Sequence, residues 1–111
     1  MRTVRDLEGW SERCGGKPVL VADIGNWCGT EMNPQRKSGL GLQRGRGEDY
    51  VECGRLLQER SWCLGWHWCG YIENRGGREW GIVDPYDKPY TAMAGLMMNF
   101  HREVVDHVRT S

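Results

Sequence analysis

Lys17-Pro18-Val19-Leu20-Val21-Ala22-Asp23 is the stretch that decides the fold. Four consecutive apolar residues follow a proline, and the run ends on an acid and then a glycine. A strand with one wet face would alternate apolar and polar residues. An unbroken apolar run predicts a strand buried on both faces, which is the habit of parallel sheets covered by helices.

The flanks fit that reading. Thr3 to Cys14 reads as the end of a helix, with Val4, Leu7 and Trp10 at helical spacing, and Gly15-Gly16 stop it. Ile24 to Gly41 lacks a period and reads as a long loop, of the length that is commonly functional or disordered. Gln43 to Arg60 predicts a helix. Tyr50, Cys53, Leu57 and Trp62 make its apolar edge, and Glu48, Asp49, Glu52, Arg55, Glu59 and Arg60 face water. A second strand covers Cys63 to Tyr71. Simple alternation puts Leu64, Trp66 and Trp68 on one face and Cys63, His67 and Cys69 on the other.

A glycine-rich loop (Glu73 to Glu79) and a short extended piece (Trp80 to Pro85) precede the last helix. Pro89 begins it, where proline is tolerated. Tyr90, Met93, Met97, Phe100, Val104 and Val108 form its stripe.

Strands alternating with helices predict an α/β fold with parallel strands. Residues 1–16 close a preceding helix, 17–62 make one strand–loop–helix unit, and 63–111 make the next. Both long loops follow strands, as the site-building loops of a (β/α)8 TIM barrel do. Such a barrel needs about 250 residues, and this chain has 111. Two units would leave open sheet edges. The rest of a barrel, or further copies in a homo-oligomer, is expected to cover them.

Composition narrows the function. The formal net charge is zero, so neither nucleic acid nor a membrane is expected as a partner. Arg36, Lys37, Arg44 and Arg46 form a local basic stretch that reads as a solvated loop. Five cysteines at irregular spacing, with no CxxC pair, do not read as a disulfide scaffold or a zinc site. Cys63 and His67 would lie about 13 Å apart along one strand. Neither a metal nor another cofactor is expected.

Lys17–Asp23 resembles the seventh barrel strand of clan A glycoside hydrolases, where the run leads to the catalytic nucleophile. Gly65-Trp66-His67-Trp68-Cys69-Gly70-Tyr71-Ile72-Glu73-Asn74 is similar to the eighth strand of β-agarases and related β-galactosidase-like enzymes. Gly81-Ile82-Val83-Asp84 with Lys88-Pro89-Tyr90 resembles their approach to the eighth helix. Arg46-Gly47-Glu48-Asp49-Tyr50 resembles the start of their seventh. The likeness runs from Lys17 to Val105.

The resemblance implies the last two units of a glycoside hydrolase barrel, acting on a β-linked galactan-type or related oligo- or polysaccharide. Asp23 stands at the nucleophile position, where the family carries Glu. Aspartate is one methylene shorter, and a misplacement of about 1 Å can cost about 10²-fold in rate. Retaining hydrolysis needs two carboxyls about 5–5.5 Å apart. The family's acid/base lies on the fourth strand, outside this chain, so the chain alone is expected to be inactive. Trp68 is the expected sugar platform, since a pyranose C–H face stacks on indole. Trp66, Trp27, Tyr71 and Glu73 complete the candidate substrate set, with Glu31 in the other loop as a surface or subsite residue. His67 is expected to be packed and hydrogen-bonded. Two other readings stay open: a non-catalytic sugar-binding remnant of a degenerate barrel, and a truncated reading frame without independent function.

Overall fold

In the computed structural model, residues 2–26, 28, 30, 42–73 and 81–110 are described, with side chains except at positions 2–4, 23 and 110. The order is α1 (Arg2–Arg13), β1 (Val19–Ile24), α2 (Gln43–Gln58), β2 (Cys63–Trp68) and α3 (Thr91–Thr110). β1 and β2 pair in parallel as a two-stranded open sheet. The chain is thus a small α/β piece of three helices and two parallel strands.

The double glycine ends α1. Gly15 and Gly16 both have φ of +75°, a region that glycine enters without a Cβ clash. Gly16 N–H donates to the Ser11 carbonyl at 2.8 Å, the six-to-one closure typical of a helix stop. Leu7 packs on the core, whereas Trp10 is exposed with Arg13 over its ring.

The sheet is covered on one face only. Val21, Cys53 and Leu57 form one buried cluster, joined by Val19, Ile24, Trp62 and Cys63. Tyr50, Met93, Met97 and Phe100 form a second, joined by Trp68, Tyr90 and Val104. Trp66 packs against both clusters. Each buried aliphatic or aromatic chain contributes about 1.5–3 kcal/mol of transfer free energy. Leu20, Ala22 and Leu64 instead lie exposed, Leu20 at 53% and Leu64 at 72%. The run that predicts burial on both faces is therefore buried on one. In a complete barrel the face turned away from the helices packs against side chains from other strands of the barrel.

Simple alternation along β2 fails at Leu64. Val19 pairs with Cys63 and Leu20 with Gly65, so β2 carries one extra residue there. This bulge puts Cys63 with Trp66 and Trp68 on the helix side and sends Leu64 outward. A compensating irregularity lies in β1, where Val21 pairs with Trp66 and Ile24 with Trp68. Asp23 stands within that second bulge. His67, expected to be packed, is exposed on the uncovered face.

Two glycines let α2 and α3 approach closely. A Cβ on Gly47 would sit 2.8 Å from Leu96 Cδ1, and one on Gly54 would run into the Phe100 ring. The stripe of α3 is buried at Met93, Met97 and Phe100, but Val108 is exposed because it lies beyond the core clusters. Gly54→Ala should lower stability by about 1–3 kcal/mol through overpacking. A urea midpoint equal to the parent's would contradict that contact. Sedimentation of the chain alone should show self-association driven by the uncovered face; a monomer that unfolds cooperatively would contradict it.

Candidate functional site

The loops that follow β1 and β2 emerge at the same end of the sheet because the strands are parallel. One buried side chain ties them together. Arg46, in the first turns of α2, is 0% exposed. Its Nε donates to Asn26 Oδ1 at 3.1 Å, and one terminal nitrogen donates to the Gly81 carbonyl at 2.9 Å and to Gln43 Oε1 at 2.8 Å. Its guanidinium also lies 5.8 Å from the centre of the Trp68 ring and 5.9 Å from that of Tyr90. This corrects the expectation of a solvated basic loop for Arg46. Buried acceptors and two aromatic faces replace its water, so the charge is held inside. Arg44 does face solvent, paired with Glu48 at 2.8 Å. Arg36 and Lys37 lie outside the described residues.

Asn26 returns the contact. Its Nδ2 donates to the Arg46 carbonyl at 2.9 Å and to Asp49 Oδ2 at 2.8 Å. Asp49 is therefore turned partly inward rather than free in water. Arg60, also expected to face water, is half-buried against Glu8 at 3.4 Å.

Glu73 is the second buried polar anchor, at 1% exposure. The Tyr90 hydroxyl donates to Oε1 at 2.7 Å and the Thr30 hydroxyl to Oε2 at 2.8 Å. Its own N–H donates to the Val83 carbonyl at 2.9 Å. Burial first, and then the Glu73 hydrogen bond, push the Tyr90 phenol well above its ordinary range, so Tyr90 stays a proton donor. Glu73 is thus buried rather than on the surface, and it joins Thr30 of the first loop to Tyr90 before α3. Gly81 is required beside it, because a Cβ there would strike the Glu73 backbone.

The tryptophans are likewise engaged on the helix side. Trp66 stacks on Phe100 with ring centres 6.2 Å apart, and its indole N–H donates to the Tyr50 hydroxyl at 2.9 Å. Trp68 meets Tyr50 edge-on at 5.6 Å. The β2 bulge turns both indoles toward the helices. The expected stacking faces are thus partly occupied by protein, and the two residues shape the wall behind the loops. Tyr71 is exposed at that end, its hydroxyl 3.4 Å from Asp87 Oδ1. The Asp23 side chain, Trp27 and Glu31 lie outside what is described.

Burial pushes the Cys53 and Cys63 thiols up, which suppresses the thiolate. Among the described residues no three His, Cys, Asp or Glu side chains converge as a metal site. No described helix is long and apolar enough to cross a membrane.

Neither a family profile nor a curated protein matches the chain. A solved structure does, one described as a structural analysis of an exo-β-agarase. The TM-score is 0.68 at 21% identity, over 89% of this chain and 15% of that one. The two proteins share a fold over this segment, and the chain spans about 15% of the agarase's length.

Sequence reasoning missed Arg46 and Asn26 as organisers. Asn26 lies in a loop and Arg46 among glycines at the start of a helix, and nothing local marks either as buried. Arg46→Met should cost about 3–5 kcal/mol by stranding several buried acceptors. Tyr90→Phe should cost about 1–3 kcal/mol by removing one donor from Glu73. Chemical denaturation reads both. A loss below about 0.5 kcal/mol for Arg46→Met, the range of ordinary surface changes, would refute the buried network.

Proposed function

We propose that the chain supplies the last two βα units of a (β/α)8-barrel glycoside hydrolase acting on a β-linked galactan-type or related polysaccharide. One observation carries this reading. Two parallel βα units with site-sized loops, tied side by side at the strand C-termini, adopt the fold of a segment of an exo-β-agarase. In barrels of this kind the strand C-termini build the site.

In this reading Asp23 occupies the nucleophile position at the end of β1, in a bulge of the kind that re-aims side chains next to active sites. The partner carboxyl comes from another strand of the barrel, because Glu73 has both oxygens committed to Tyr90 and Thr30. Trp27 and Tyr71 are the substrate-facing candidates. Trp68, Trp66 and Glu73 act mainly as the scaffold behind them. No metal or cofactor is needed for this chemistry.

One residue favours the second reading, a sugar-binding remnant without hydrolysis. Aspartate at position 23 draws the carboxylate back from where glutamate would hold it.

Titration of the chain with agaro-oligosaccharides, followed by NMR shifts, should perturb Tyr71, and Tyr71→Ala should weaken binding several-fold. No reducing sugar should be released. Shifts absent with every β-galactan tested would overturn the carbohydrate reading. Hydrolysis by the chain alone would overturn the need for a second carboxyl from elsewhere.

A further inference from the structure

A shallow groove runs along the uncovered flank of β2, between that strand and α3. Tyr50, Leu64, Trp66, His101, Val104 and Val105 line it. Within it three polar atoms form a chain. Trp66 Nε1 lies 2.9 Å from the Tyr50 hydroxyl, and that hydroxyl lies 2.7 Å from His101 Nε2.

Donor inventory sets its direction. Indole N–H can only donate, so the Tyr50 oxygen accepts from Trp66. The Tyr50 oxygen keeps a second lone pair, so the 2.7 Å contact fits either histidine tautomer, but only a lone pair on His101 Nε2 gives the Tyr50 proton an acceptor there. In that arrangement His101 is neutral, with its proton on Nδ1. Tyr50 sits at the centre of the second core cluster, edge-on to Trp68, Phe100 and His101. A proton on Nε2 would face the Tyr50 proton at hydrogen-bond distance. Tyr50 would then lose the acceptor that the 2.7 Å contact gives its O–H.

We infer that the Trp66–Tyr50–His101 chain is an acid-sensitive latch that holds the seam between β2 and α3 shut while His101 is neutral. Its surroundings do not counter this. Around the groove α2 contributes the uncharged Tyr50, and β2 contributes Leu64, Gly65 and Trp66. Along α3 the groove adds Val104 and Val105. The nearby charges on α3 are Arg102 and Glu103, and Glu103 is engaged by Arg55 of α2 at 3.1 Å. No carboxylate lines the groove to stabilise an imidazolium. Burial lowers the His101 pKa from its usual value. A lowered histidine pKa gives stability that is full above the unfolded value of about 6.5 and is lost as pH falls through the folded value. The ring edge remains open to solvent, so protons can reach it.

The test is a pH titration of the full chain by NMR, with nitrogen-labelled histidine and tryptophan. At pH 7.5 His101 should show the Nδ1–H tautomer. On acidification it should titrate below 6.5, and the Trp66 indole resonance should shift with the same midpoint. His101→Gln keeps an acceptor at every pH and should abolish the Trp66 shift, whereas His67→Gln and His107→Gln should leave it. An Nε2–H tautomer in the parent chain, titration at or above 6.5, or a Trp66 shift that survives His101→Gln would each overturn the latch. The tautomer is read on the unsubstituted protein, so the idea stays testable if a variant fails to fold.

Discussion

The buried guanidinium of Arg46 is the constraint on which the arrangement at the strand ends depends. It rises from the start of α2 and reaches the loop after β1 through Asn26 and the loop after β2 through the Gly81 carbonyl. A fully buried charge is costly unless its hydrogens are directed at acceptors. Because those acceptors sit on separate loops, satisfying the arginine fixes the loops relative to each other. Glu73 adds a second tie, holding Tyr90 at the head of α3 and Thr30 in the first loop. Together the two anchors link residues of both loops to the starts of α2 and α3.

The two bulges set which strand side chains face which way. The extra residue at Leu64 sends Trp66 and Trp68 toward the helices. The matching irregularity in β1 restores the pairing by Ile24. Without the first bulge both indoles would point to the open face, and the second cluster would lose a wall. The bulges thus bring both indoles against the second cluster.

Much of the fold is legible in the sequence. The apolar run at Val19 to Ala22, the glycine stop after α1 and the three-four spacing of Met93, Met97 and Phe100 place the elements within a few residues. Parallel pairing follows from the strand–helix alternation. Strand faces were harder. Gly65 inside β2 is the one local mark of a bulge, and alternation read through it misassigns Leu64 and Cys63. The candidate site was less legible still. Arg46 sits among Arg44, Gly45 and Gly47 and resembles a solvated run, because its acceptors at positions 26 and 81 are distant in sequence. Glu73 looks like a loop carboxylate for the same reason: Thr30 and Tyr90 are brought to it only by the fold.

The account rests on Arg46 being buried and hydrogen-bonded to both loops, and exchange of its Nε–H tests that most directly. In a nitrogen-labelled chain near neutral pH, the Arg46 Nε–H should exchange with water many-fold more slowly than that of Arg44, which lies on the surface. Equal exchange rates at the two arginines would mean that the guanidinium is solvated and that the two loops are not tied through it.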